Sequence, residues 1–238
     1  MGTAHAASCD QLATLTIPFA SVASATQEHS ADAQAYCRVL ITAAPVPDSE
    51  IHIETWLPEP NRWNGKFLGT GNGGYSSQLS YGEMRQALAK GYAVDGCDTG
   101  HAGGDLKFAV GHPAKVQDWA YRAVHVMTES AKPVLRSYYG RFAEHSYFAG
   151  CSTGGQQALS EAQRYPADYD GIVAGGSWQR PSALERRLPL VVACLEPHAG
   201  IRAPGCEAAR LIQRCDVGLR RSGRHQGWHY QRSETVPV

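Results

Sequence analysis

The chain has 238 residues, of which 43% are hydrophobic and 18% charged, a composition that can bury the core of one large domain or of two small ones. Lysine plus arginine equals aspartate plus glutamate at 22 each, so no net charge favours nucleic acid or an anionic membrane surface as a partner. The sequence contains no apolar run of the roughly 18 residues expected of a transmembrane helix.

The N-terminus and the cysteines favour a secreted or periplasmic protein. Residues 4–6 have the small-x-small form of a signal cleavage site, although residues 1–7 lack the basic and apolar regions that precede such a site. Seven cysteines are many for a cytosolic protein of this size, and the odd number leaves at least one unpaired. Cys9 with Cys37 is one possible disulfide, and a scatter of buried free cysteines is the alternative.

Hydrophobic patterning after residue 50 predicts alternating strands and helices, and hence an α/β domain with a mostly parallel sheet. Pro133 predicts a kink or a break in the longest helix. Residues 181–215 are interpreted as irregular helical material, and residues 216–238 as a disordered or unnatural tail with few apolar side chains. The strands are predicted at 51–58, 65–70, 92–98, 145–150 and 170–176, and the helices at 81–90, 114–139 and 155–166.

The first of two glycine-rich loops allows three interpretations. Gly69, Gly71 and Gly74 follow a predicted strand with the G-x-G-x-x-G spacing, and Asp95 lies about twenty residues later, as in a dinucleotide-binding fold. That fold requires a helix directly after the glycines, whereas the sequence YSSQLSYG intervenes here. The same loop could bring backbone amides close to a developing negative charge, or could be a flexible turn.

The second loop, GCSTG, matches the G-x-S-x-G motif between a predicted strand and a predicted helix. This context predicts that Ser152 lies on a sharp turn above the sheet as a nucleophile. The amide of Thr153 would be one oxyanion donor, and the amide of Gly73 in the earlier loop would be the second. The two glycine loops therefore predict a single site for acyl transfer.

Long segments also resemble the tannase and feruloyl esterase family of α/β-hydrolases. The resemblance covers about residues 50–180 and is carried by WLPEPNRWNGKFLGTGNGGY, GYAVDGCDTGH and GCSTGGQQALSEAQRYPADYDGIVAGG. It implies a serine, aspartate and histidine triad that hydrolyses aromatic acid esters of the feruloyl or galloyl type. It also implies that Cys151 is disulfide-bonded to a cysteine beside the catalytic histidine, and that a lid domain contains a calcium-binding loop.

The sequence departs from that family in its second half. No His-Cys dipeptide is present, and the family's triad aspartate, triad histidine and most of its lid have no counterpart. Asp216 resembles the first residue of the calcium loop, but VGLRRSGRH follows it, so we expect no calcium to bind and no cofactor to take part in the chemistry. For each histidine, and for Asp168 and Asp170, a structural role is favoured over a place in the triad.

We therefore predict an incomplete α/β-hydrolase with residues 1–180 in the catalytic domain, 181–215 at the start of a lid and 216–238 as a tail. Its partner would be a small aromatic ester, and the truncated chain would have little activity of its own. A Rossmann-type NAD(P)-dependent oxidoreductase and a remnant without catalytic function are the alternatives.

Overall fold

The structure is a computed structural model that describes residues 6–30 and 33–176, and the backbone of residues 190–194. Within these residues one eight-stranded sheet has the order β1-β2-β3-β5-β4-β6-β7-β8. The strands are β1 (Ala20–His29), β2 (Ala35–Ala43), β3 (Ile51–Pro58), β4 (Lys66–Thr70), β5 (Ala93–Cys97), β6 (His145–Cys151), β7 (Gly171–Gly175) and β8 (Leu190–Cys194).

Four central strands form the parallel part of this mixed sheet. Strand β4 pairs in parallel with both β5 and β6, and β6 pairs in parallel with β7. Parallel strands place their carboxyl ends at one edge, where loops with functional residues usually lie. The predicted parallel α/β core is confirmed, and each of its strands had been predicted from its short apolar run.

Antiparallel strands extend the sheet at both ends, and of these the sequence analysis predicted only β3. At one end β1, β2 and β3 pair antiparallel in sequence, and β3 joins the parallel strands through β5. At the other end β8 pairs antiparallel with β7. The helical interpretation of residues 181–215 is therefore wrong at Leu190–Cys194, where the β-branched pair in LVVAC suits an added strand.

Helices cover both faces of the sheet. Helix α1 (Tyr81–Ala89) packs against β3, β4 and β5, and Gly91 follows it with a φ of 81°. Helices α2 (Pro113–Gln117), α3 (Ala123–Tyr139) and α4 (Thr153–Arg164) complete the set, and α3 and α4 bury the larger core. In the part of the chain that is described, none of the helices has the length and apolarity needed to cross a membrane.

Of the kink or break predicted at Pro133, the break is wrong, because α3 continues through this residue to Tyr139. A proline inside a helix removes one hydrogen bond, at a cost of roughly 3 kcal/mol. Helix α3 offsets this loss by burying the apolar face that includes Met127, Val134 and Leu135. The irregularity lies earlier, where a π-helical turn at Asp118–Arg122 joins α2 to α3.

The disulfide considered between Cys9 and Cys37 is confirmed. It joins the segment before the first 3-10 turn to β2, with a Cα–Cα distance of 5.6 Å. Both cysteines are buried in the larger core. The N-terminal segment is therefore attached covalently to the sheet.

An ion pair with several hydrogen bonds joins β2, β3 and α1. Arg38 donates to both carboxylate oxygens of Glu54, at 2.9 Å from Nε and 2.8 Å from Nη2. The Tyr81 hydroxyl and the Trp56 indole nitrogen donate to the same carboxylate at 2.8 and 3.1 Å. Although burial opposes ionisation, these hydrogen bonds lower the pKa of Glu54 below its ordinary value of 4.5.

We predict that Glu54→Gln lowers the free energy of unfolding at pH 7 by about 1–3 kcal/mol, because the amide cannot accept two bonds from Arg38. Because the pKa of Glu54 is lowered in the folded chain, its charge stabilises the fold at pH values above the ordinary pKa of a glutamate. This contribution is lost as the pH falls through the pKa of the folded state. Urea titrations from pH 7 to about pH 3 should show the difference between variant and parent narrowing with acidity. The exposed Glu50→Gln is the control, and a pH-independent difference would contradict this account.

Candidate active site

Ser152 occupies the sharp turn between β6, which ends at Cys151, and α4, which begins at Thr153. Its backbone has a φ of 59° and a ψ of −118°, a combination that residues with a Cβ rarely adopt. The amide of Ser152 donates to the carbonyl of Gly175 at 2.8 Å, and its carbonyl accepts from the amide of Gln156 at 3.1 Å. These bonds hold the strained turn and leave the residue exposed.

Close packing of three glycines makes this turn possible. A Cβ on Gly150 would lie 2.3 Å from the carbonyl oxygen of Gly154, and a Cβ on Gly71 would lie 2.6 Å from the Cα of Gly154. Such distances are well below van der Waals contact, so side chains are excluded at these positions. The glycines of the G-x-S-x-G motif thus bring β6, α4 and the earlier glycine loop together.

The earlier glycine loop is held in place by Asn72, Gln157 and Ser80. The Asn72 amide donates to Gln157 Oε1 at 3.0 Å, and Asn72 Nδ2 donates to the carbonyl of Cys97 at 2.8 Å. The Ser80 hydroxyl donates to the carbonyl of Gly71 at 2.6 Å. The sequence analysis did not identify these residues, because only the fold brings Gln157 of α4 to the loop after β4.

The two predicted oxyanion donors lie on the two segments that meet here. Thr153 is the first residue of α4, where backbone amides have no acceptor within the helix. Gly73 is exposed, and its amide makes no hydrogen bond with a described residue. The amide before it belongs to Asn72 and is already bonded to Gln157, so Gly73 is the first residue of this loop whose amide is not bonded to a described residue.

Cys151 directly precedes Ser152 and is half-buried. It has no disulfide partner in the described part of the chain, and neither has Cys97. The side chains of Cys194, Cys206 and Cys215 lie outside the described residues. The tether that the family resemblance implies for Cys151 therefore stays a prediction.

Five histidines of the described segments, all except His29, contact neighbouring groups, and Ser152 Oγ makes no hydrogen bond with any described histidine. His101 contacts the residue that follows the glycine loop. It is buried, stacks on Phe108 and has Nε2 at 2.9 Å from the carbonyl oxygen of Tyr75. The other pairs are His52 with Asp98, His112 with Asp48, His125 with Asp168 and His145 with Asp170. His198, His225, His229 and Asp216 lie outside the described residues.

Asp168 and Asp170 both make contacts that support the fold. Asp168 Oδ2 lies 2.6 Å from His125 Nδ1, and its Oδ1 accepts from Lys132 Nζ at 3.2 Å. Asp170 accepts a hydrogen bond of 2.7 Å from the backbone amide of Ser146, which lies in the neighbouring strand β6. No hydrogen bond joins Ser152 to either carboxylate or to the histidine paired with it.

The geometry of Asp95 excludes it as a ribose ligand. Its side chain lies in the middle of β5 with no exposed surface, and burial raises its pKa well above the ordinary value. Helix α1 begins only at Tyr81, so no helix N-terminus follows the G-x-G-x-x-G glycines directly. The glycine loop packs against α4 at Gly154 instead.

Comparison with known proteins agrees with this geometry. The sequence profile described as tannase and feruloyl esterase matches residues 37–180, which is more than half of the chain. The chain belongs to this tannase and feruloyl esterase family. Members of the family are carboxylic ester hydrolases, so the interpretation as a nucleotide-dependent oxidoreductase is wrong.

Individual relatives in the tannase and feruloyl esterase family support the assignment. An uncharacterized esterase of Xanthomonas campestris is 37% identical over 181 residues, which cover 71% of this chain and 31% of that protein. A probable feruloyl esterase B-1 of Neosartorya fischeri is 38% identical over 140 residues, or 59% of this chain and 26% of that protein. The crystal structure of feruloyl esterase B from Aspergillus oryzae superimposes with a TM-score of 0.66 and 33% identity, covering 71% and 36% of the two chains.

The part of this chain that aligns therefore covers about a third or less of the length of each relative. Its strands and helices agree with the predicted α/β-hydrolase fold. Ser152, Gly73 and Asn72 all lie within the matched range. The glycine packing around Ser152 can thus be tested in this chain by itself.

We predict that Gly150→Ala lowers the free energy of unfolding by about 1–3 kcal/mol, because the new methyl group would overlap the Gly154 carbonyl. The control is Gly82→Ala in α1, where nothing lies within 4 Å of the added Cβ. There the loss of backbone freedom in the unfolded chain should leave stability equal or slightly higher. Chemical unfolding of both variants measures this, and equal effects would contradict the packing argument.

Proposed function

We propose that Ser152 is the nucleophile of a carboxylic-ester hydrolase that acts on aromatic acid esters of the feruloyl or galloyl type. The observation that carries the proposal is the positive φ of Ser152 at a strand-to-helix turn packed against a second glycine loop. The family assignment supports the reaction, and the feruloyl esterases among the relatives support the substrate class. The proposal concerns the whole protein, because the match to this chain covers only about a third or less of each relative.

The reaction follows from the groups at the turn. Ser152 Oγ attacks the ester carbonyl while a base removes its proton, and the amides of Thr153 and Gly73 donate to the oxyanion. Collapse of the tetrahedral intermediate releases the alcohol and leaves an acyl group on Ser152, which water then removes. The N-terminus of α4 adds positive electrostatic potential at the same place.

None of the described histidines hydrogen-bonds to Ser152, and five of them contact other groups, so we do not propose any of these as the base. We propose that the triad histidine of the family supplies it in the whole protein, held near Ser152 by a disulfide to Cys151, because this sequence contains no His-Cys pair that could do so. No step of this mechanism involves a metal. Asp216 would begin a calcium loop, but residues 217–225 contain no carboxylate that could complete one.

The proposed location is extracellular or periplasmic. The Cys9–Cys37 disulfide supports an oxidising compartment, as does the number of cysteines. Balanced charge favours a small-molecule ester as the partner over nucleic acid or a membrane surface.

We predict that the purified 238-residue chain hydrolyses methyl ferulate at a negligible rate, since the triad histidine of the family has no counterpart in this sequence and no described histidine hydrogen-bonds to Ser152. Release of ferulate measured by absorbance gives the rate. Turnover that disappears in Ser152→Ala would show that the chain supplies its own base. A chain that fails to unfold cooperatively would instead favour the interpretation as a remnant without function.

A chimera tests the nucleophile directly. Residues 37–180 replace the matching segment of the Aspergillus oryzae feruloyl esterase B, which supplies the remainder of its own site. We expect this chimera to hydrolyse methyl ferulate. In the chimera, Ser152→Ala should reduce kcat by at least about 10⁴-fold, whereas the control Ser160→Ala, in the helix that follows Ser152, should not. A folded chimera without activity, or one that is indifferent to Ser152→Ala, would overturn the proposal.

A further inference from the structure

Glu161 is a buried carboxylate for which the proposed reaction has no use. It lies in the third turn of α4, about 12 Å along the helix from Thr153. The side chain has no exposed surface, and neither carboxylate oxygen hydrogen-bonds to a described residue. Burial, with a contribution from the charge of Asp168, raises the pKa of Glu161 to about 8. A buried polar group without a partner is unfavourable, and native proteins rarely contain one without a ligand or a functional reason.

Two further metal-ligand side chains face Glu161. One ring nitrogen of His125 and one oxygen each of Glu161 and Asp168 all lie within 4.8 Å of one another. They come from α3, α4 and the loop after α4, so the fold brings together three separate parts of the chain. Asp168 is 6% exposed, and the His125 ring is held by stacking on Tyr165 with 3.9 Å between ring centres.

The cluster is accessible to a small ion from one side. His125 and Tyr165 line an open cavity of about 1000 Å³ between α3 and the loops at Pro18 and Pro45. His125 itself keeps 31% of its side chain exposed. An ion could therefore reach the buried carboxylates past the imidazole ring without opening the core.

From these contacts we propose that His125, Glu161 and Asp168 form a binding site for a divalent transition-metal ion of the zinc class. A single imidazole with two carboxylates is a ligand set that such ions accept, whereas calcium and magnesium prefer oxygen ligands alone. The ion would give Glu161 the partner it lacks, with water completing the coordination. Lys132, which now donates to Asp168 Oδ1 at 3.2 Å, would stay as a neighbouring group that limits the negative charge of the site.

The site is separate from Ser152, so its occupancy does not depend on the proposed esterase function. Its role would be to fix α3 to α4 beneath the strand that carries the nucleophile turn. The test therefore measures zinc binding and thermal stability, and it needs no assay of hydrolysis.

The test compares zinc binding by the full chain and by Glu161→Gln. Both proteins are freed of metal with a chelator and titrated with ZnCl₂ by calorimetry, because the amide keeps the shape of the side chain but is a poor ligand. We expect the parent to bind one more equivalent than Glu161→Gln, or to bind at least about tenfold more tightly, and to show a higher midpoint of thermal unfolding with zinc. CaCl₂ should give no such stabilisation.

Two further variants keep the result interpretable. Glu129→Gln removes an exposed carboxylate that bonds to Lys132 and is not a ligand, so its zinc binding should equal that of the parent. His125→Gln replaces a ligand at a partly exposed position and serves if Glu161→Gln fails to fold. Cysteines and histidines elsewhere in the chain can also bind zinc, so the comparison among variants decides. Equal stoichiometry and affinity in the parent, Glu161→Gln and His125→Gln would overturn the proposal, as would the absence of binding.

Discussion

Contact among the backbones of Gly71, Gly150 and Gly154 is the constraint on which the candidate site depends. Side chains at these positions would overlap backbone atoms, so the glycines allow β6, α4 and the loop after β4 to meet. The meeting forces Ser152 into its unusual backbone conformation and leaves it exposed above the sheet. It also places Gly73 and Thr153 on neighbouring segments. The position of the proposed nucleophile and that of its proposed oxyanion donors are thus consequences of a single packing requirement.

The surrounding structure supports that strained turn with bonds that are themselves buried. Gln157 and Asn72 join α4 to the glycine loop, and the Ser152 amide is bonded to the neighbouring strand β7. A strained backbone persists only where its surroundings determine it more strongly than its own preference does. The parallel strands β4, β6 and β7 provide such surroundings, because their adjacent ends fix the distances between the loops.

The opposite end of α4 contains a different kind of polar group. Glu161, Asp168 and His125 lie in the layer between the helices, distant from the turn at Ser152. The burial of Glu161 is unfavourable unless a cation or another partner compensates for it. Helix α4 therefore follows an exposed serine and contains a buried carboxylate in its third turn. The two features depend on different residues of the helix.

The sequence by itself determined the strand-to-helix turn at Ser152, the parallel strands and the family. These depend on local signals: glycines at fixed spacing around Ser152, short apolar runs, and long segments that resemble known esterases. It did not determine the antiparallel strands β1, β2 and β8, the continuation of α3 through Pro133, or the contacts of Gln157 and Glu161. Those features depend on contacts between residues far apart in the chain, such as Asn72 with Gln157, or on burial that outweighs a local preference, as at Pro133. Such contacts have no periodicity or spacing that could be detected before the tertiary structure exists.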